Sequence, residues 1–205
     1  MTVPPAPEFG APCPVTPSDE TLALLATRRS ASAMALTAPA PDEAQLRALL
    51  RLATRVPDHG KLAPWRFVVL EGPAKAEFVR RLHLLTDAQE NPDKARAMLG
   101  KIALPPLTLA VVSSPKTATI PEWEQQLSAG AVCMALLVAA QAMGFAANWI
   151  TDWYAVDPRA LALLGVKPHE RVAGFVHLGT LAEPPLERVR PELAEIVERW
   201  VPVAR

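Results

Sequence analysis

Cysteine is scarce in this chain: two in 205 residues, Cys13 and Cys133. Neither stands in a Cys-x-x-Cys or Cys/His metal spacing, so neither a disulfide framework nor a zinc site is expected. An excess of either charge is also missing, since 21 Lys and Arg balance 21 Asp and Glu. The basic surplus of a nucleic-acid-binding surface is therefore absent, and little charge repulsion opposes self-association. The four histidines, His59, His83, His169 and His177, show no His-Glu-x-x-His or other paired ligand spacing, which argues against a metal centre. There is no Gly-x-Ser-x-Gly elbow for a serine hydrolase. There is no Walker A sequence and no Gly-x-Gly-x-x-Gly after the first strand, so a Rossmann dinucleotide site is disfavoured. No internal repeat is visible. The N-terminus has no charged region followed by an apolar core, and a cytoplasmic location is the expectation.

What the chain does have is apolar mass and proline. Half of the residues are hydrophobic and 22 are proline. Six prolines (Pro4, Pro5, Pro7, Pro12, Pro14 and Pro17) crowd the first 17 residues and rule out a helix or central strand there. Residues 1–17 are expected to be an arm, and 18–205 one domain, a size that buries an ample core. Ser18 or Asp19 caps a short helix over Thr21–Arg28, and Asp42 caps a second carrying Leu46, Leu49, Leu50 and Ala53. Strands are expected at Trp65–Leu70, Leu107–Val112, Phe145–Ile150 and Val172–Leu178. Helices are expected at Pro73–Leu85, Asp87–Lys101, Pro121–Met143, Pro158–Leu164 and Glu192–Trp200. Ala129–Ile150 nearly matches a membrane span, but Gln141 and Asn148 interrupt it and no second span exists. A helix buried on every side, in part by a second subunit, is the simpler reading. The alternation suits an α+β sandwich with a small central sheet flanked by helices.

Chemistry concentrates in three clusters. Arg28, Arg29 and Ser30 end a helix; guanidinium groups and a hydroxyl there suit a phosphate, or they are solvated cations at the negative end of a helix dipole. Arg55, Asp58 and His59 lie in the turn Arg55-Val-Pro-Asp-His-Gly-Lys-Leu-Ala-Pro-Trp65. There His59 and Arg55 can meet an anion while Asp58 orients His59 or Lys61, or else Asp58 caps local amides. Trp149, Ile150 and Thr151 end a strand, either beside a ligand or as packing. Arg188 and Arg190 follow the last strand, where surface arginines on a solvated tail are the ordinary reading.

Arg-Arg-Ser, then Pro-Asp-His, then Pro-Trp, with Trp149-Ile150-Thr151 downstream, resembles the nitroreductase family over roughly residues 20–182. The resemblance implies a homodimer with two FMN sites at the subunit interface and the long helix buried there. It gives Arg28, Arg29 and Ser30 to the ribityl phosphate and pyrimidine edge, and Arg55 and His59 to flavin bound mainly by the partner. Trp149, Ile150 and Thr151 go to the flavin ring. It also implies ping-pong hydride transfer from NADH or NADPH to nitroaromatic, quinone or similar small-molecule oxidants. No catalytic protein nucleophile, metal, nucleic acid or membrane is implied. The chain departs from the family at Ala33 and Met34, where a basic residue is common, and at Lys61, Leu62 and Ala63, where Asn and Gln are common. Those departures leave open a flavin-binding or structural dimer with little turnover, or a specialised flavin dehydrogenase.

Overall fold

A computed structural model describes residues 3–202. The helices in chain order are α1 (Asp19–Thr27), α2 (Glu43–Ala53), α3 (Gly72–His83), α4 (Pro92–Met98), α5 (Gly100–Ala103), α6 (Glu122–Ala142), α7 (Pro158–Leu163) and α8 (Leu193–Ile196). The strands are β1 (Trp65–Glu71), β2 (Leu107–Ser113), β3 (Ala146–Ile150) and β4 (Arg171–Gly179), joined as one antiparallel sheet in the order β1-β2-β4-β3. The class is α+β, as the sequence pattern implies.

Period-two alternation splits the sheet's side chains between two cores. On one face Leu109, Val111, Val176 and Leu178 meet Leu46 and Leu49 of α2 and Val132, Leu136 and Ala140 of α6. On the other, Ala110 and Phe175 meet Phe78 and Leu82 of α3, Ile102 of α5 and Tyr154. β2 lies between β1 and β4 and under helices on both sides, so every one of its residues is buried. This is why Leu107–Val112 reads as a run that is apolar but for Thr108. α2 starts with a capping box: Asp42 accepts from the Gln45 N–H at 2.8 Å, and the Gln45 side chain accepts from the Asp42 N–H at 2.9 Å. Two orphan amides are thereby satisfied at one end.

Two expectations change. The helix expected over Asp87–Lys101 is broken into a short turn at Thr86–Ala88, α4 and α5. Pro92 has no N–H to give to a helix interior and instead begins α4, with Asn91 as its N-cap. The terminal helix expected over Glu192–Trp200 is the single turn α8, with Leu193, Ile196, Val197 and Trp200 all exposed. With no apolar face to bury, so short a helix lacks what normally stabilises one. Within one chain α6 leaves Trp123, Leu127 and Met134 as an exposed apolar stripe, the part of its surface that the sequence reading gave to a second subunit. α6 is long and apolar enough to cross a membrane by length and composition, yet half of its apolar window is already buried within this chain. Residues 3–17 contain only a turn at Glu8–Ala11, and the Arg51 guanidinium donates to the Pro4 carbonyl.

Candidate functional site

α6 is the ruler along which the three sequence clusters are arranged. At its C-terminal end lies a cavity of about 550 Å³, lined by Arg28, Arg29, Leu137, Gln141, Phe145 and Thr180 among others. Arg28 is the C-cap of α1, where the chain leaves helical geometry, and its Nη2 donates to Ser30 Oγ at 3.3 Å. Arg29 Nε donates to the Leu186 carbonyl at 2.8 Å, with Glu187 at 3.8 Å. This turn is fastened to the sheet edge, since the Ala31 N–H donates to the Ala147 carbonyl at 3.0 Å. Two half-buried cations thus stand at the mouth of a cavity with an apolar floor, a setting suited to an anion carried on an apolar body.

β3 runs back from this cavity alongside α6. Because the Ala147 carbonyl points away from β4, the backbone groups of Trp149, two residues on, face the same open edge. The Trp149 indole lies across β4. Its Nε1 donates to the Ala173 carbonyl at 3.2 Å, and Ala173 is the extra residue of a β-bulge. The ring sits on Gly174, where an added Cβ would come within 1.9 Å of Nε1, and its far edge reaches Gly130 of α6. Trp149 is 38% exposed, and neither it nor Ile150 or Thr151 lines the cavity beside Arg28. Ile150 is half-buried and Thr151 exposed.

Arg55 and His59 lie at the opposite end of α6. His59 Nδ1 is 2.8 Å from Glu124 Oε2 in the first turn of α6, and the imidazole is largely exposed. Ser128 Oγ donates to the Pro57 carbonyl at 2.8 Å and accepts from Trp65 Nε1 at 3.1 Å, tying the loop to the helix. Asp58 orients neither His59 nor Lys61; it accepts from the N–H groups of Leu62 and Ala63 at 3.0 and 2.8 Å, the local cap. Gly60, Lys61 and Ala63 all have positive φ, so the loop needs that internal carboxylate to hold its amides. Arg55 is exposed. Arg188 and Arg190 lie on the exposed segment after β4, and Arg190 pairs with Glu187 at 3.0 Å.

The remaining titratable groups carry structure. Burial pushes the Cys133 thiol up to about 12, which removes it as a nucleophile. Bidentate bonding from Arg66 holds the Glu170 carboxyl down at about 2. Burial lowers Lys75 to about 8, its ammonium donating to the Ala103 and Pro105 carbonyls at the end of α5. Among the described residues, no group of three or more His, Cys, Asp or Glu side chains is placed to hold a metal. Sequence reasoning passed over Glu124 as the partner of His59, and Gly174 as the seat of Trp149. An isolated glycine in a strand was the available signal for the second.

The sequence pattern of the Nitroreductase family matches residues 25–180. A protein of Escherichia coli (strain K12), named provisionally as NAD(P)H nitroreductase YdjA, is 35% identical over 163 residues, covering 78% of this chain and 88% of the relative. A nitroreductase-like protein of Bacillus cereus superposes with a TM-score of 0.78 at 21% identity, covering 90% of this chain and 98% of the other. A nitroreductase of Bacteroides fragilis, solved with bound FMN, superposes with a TM-score of 0.67 at 23% identity, covering 88% and 98%.

Proposed function

The chain belongs to the nitroreductase family, and from that membership we propose that it is an FMN-dependent oxidoreductase that uses NAD(P)H to reduce small organic oxidants such as nitroaromatics or quinones. The observation that supports this reading is the placement of Arg28 and Arg29 at the mouth of a 550 Å³ cavity that reaches Ala146 and Ala147 on the edge strand β3, two residues before Trp149. When bound, FMN supplies the hydride and electron chemistry, and the protein supplies binding, orientation and electrostatics. Arg28, Arg29 and Ser30 hold the phosphate and the pyrimidine edge. Trp149, Ile150 and Thr151 flank the ring, with the backbone groups of Trp149 facing it from the sheet edge. No side chain is assigned a covalent or acid–base role. Donor and acceptor use one position in turn, which gives ping-pong kinetics.

The proposed site needs two copies of the chain. His59 stands by Glu124, and Arg28 shares its cavity with Gln141. At 1.5 Å per residue those helix positions are about 26 Å apart. One phosphate cannot meet both ends, so Arg55 and His59 serve the flavin held mainly by the partner. The exposed stripe Trp123, Leu127 and Met134, with Leu22 and Leu25 of α1, supplies apolar surface for that homodimer. We read residues 3–17 as an arm outside the domain that follows it, and place the enzyme in the cytoplasm. The test is steady-state kinetics with purified protein and added FMN. NAD(P)H oxidation that depends on a nitroaromatic or quinone, with parallel double-reciprocal lines, is expected. Bound FMN with no such oxidation would leave a flavin-binding dimer instead.

A further inference from the structure

Thr108 on β2, His177 on β4 and Asn148 on β3 stand directly opposite one another in the sheet register. Their side chains form one polar row on the face that packs against α3 and α5. Thr108 and His177 are fully buried, and Thr108 Oγ1 lies 2.9 Å from His177 Nδ1. Two further buried atoms of the row, His177 Nε2 and Asn148 Oδ1, lack a partner. Buried polar atoms are rarely left so, and these two are complementary.

The ring is neutral, since burial and the nearby Lys75 hold His177 far below the ordinary imidazole range. A neutral imidazole has a single N–H, and Asn148 Oδ1 can only accept. One tautomer serves the whole row: Nδ1 accepts from the Thr108 hydroxyl, which leaves Nε2–H as the donor available to Asn148 Oδ1. That fixes the Asn148 amide so that its Nδ2 donates to the Ala31 carbonyl. Ala31 directly follows Arg28, Arg29 and Ser30, and its N–H is already held by β3.

We propose that Asn148, oriented by the Nε2–H of His177 directly or through one trapped water, is a positioning residue that holds the Arg28–Ser30 turn in its cofactor-binding shape. The inference rests on the FMN reading for its consequence, though not for its geometry. Asn148→Asp keeps the acceptor toward His177 but sets an oxygen against the Ala31 carbonyl. It should weaken FMN binding roughly tenfold, about one hydrogen bond. His177→Leu should weaken it similarly, whereas His177→Gln, which restores a donor and an acceptor, should stay within about twofold of wild type.

FMN affinity by fluorescence titration is therefore measured alongside two flavin-free readouts. Long-range 1H–15N correlation of histidine-labelled protein should show Nε2 protonated and Nδ1 bare at His177, and the Ala31 amide should exchange faster in Asn148→Asp. A Nδ1-protonated ring in the wild type, an unchanged Ala31 exchange rate, or wild-type FMN affinity in Asn148→Asp would each overturn the proposal. If the wild-type protein takes up no FMN, the cofactor reading fails by itself, and the tautomer and exchange rate still decide whether Asn148 holds the turn.

Discussion

Gly174→Ala exposes the seat of Trp149 to a direct test. A methyl carbon built at Gly174 would lie 1.9 Å from Trp149 Nε1 and 2.3 Å from Cδ1. Non-bonded heavy atoms sit about 3.5–4.0 Å apart, so the indole must retreat by roughly 1.5 Å. Retreat forfeits the bond to the Ala173 carbonyl, worth about 1 kcal/mol, and overpacking adds about 1–3 kcal/mol. We expect Gly174→Ala to cost about 2–4 kcal/mol in total, summed from those two contributions. Gly174 does not have a positive φ, so none of that cost is backbone strain. In a Trp149→Ala background the same substitution should be neutral, or stabilising by about 0.5 kcal/mol, because alanine suits a strand better than glycine. Urea denaturation of the four proteins, with midpoints shifting at constant m-value, measures the coupling. FMN titration of the same four reports whether the indole matters for the cofactor. If Gly174→Ala costs the same in both backgrounds, the indole does not rest on Gly174 and the arrangement of β3 against β4 is wrong.

Other perturbations read other parts of the molecule. Arg28→Ala and Arg29→Ala should each weaken FMN binding about 10- to 100-fold, the worth of a charge-assisted hydrogen bond, with under about 1 kcal/mol lost in stability; isothermal titration and urea melts separate the two. Leu127→Glu on the α6 stripe should yield a monomer in sedimentation velocity that has also lost FMN, and a monomer that keeps FMN would refute the shared site. His177 is depressed to about 3 from an ordinary 6.5, so the unfolded state takes up the proton first. The sign follows: its contribution is intact above pH 6.5 and is lost as pH falls toward 3, by about 1.4 kcal/mol per pH unit. The urea midpoint of His177→Gln should fall less steeply over that window. Glu170→Ala leaves the Arg66 guanidinium, one-third exposed, without its carboxylate. It should cost about 3 kcal/mol by thermal melt, and a cost below about 1 kcal/mol would make the pair incidental.

Much of the fold was legible because local signals agreed with tertiary packing. Asp42 with Gln45, Leu46, Leu49 and Ala53 announces α2 at both the cap and the apolar face, and Leu107–Val112 is apolar but for Thr108 because it is buried on both sides. Where the reading failed, two signals competed. The periodic pattern over Asp87–Lys101 hid Pro92, and Glu192–Trp200 has helical residues but nothing in one chain to pack against. The site clusters were visible as motifs, yet their relation was not. That Arg28 and His59 sit at opposite ends of α6 depends on the antiparallel return of β3 and on the Glu124 and Ser128 contacts, which are long-range facts. The same holds for Asn148 and His177, which become neighbours only through strand register.

The central claim is that this chain binds FMN as its working cofactor, and the most direct test is the absorption spectrum of the purified protein with the released chromophore identified by mass. A flavin spectrum, with FMN at about one per chain, is the result the account predicts. A colourless protein that takes up no added FMN would contradict it.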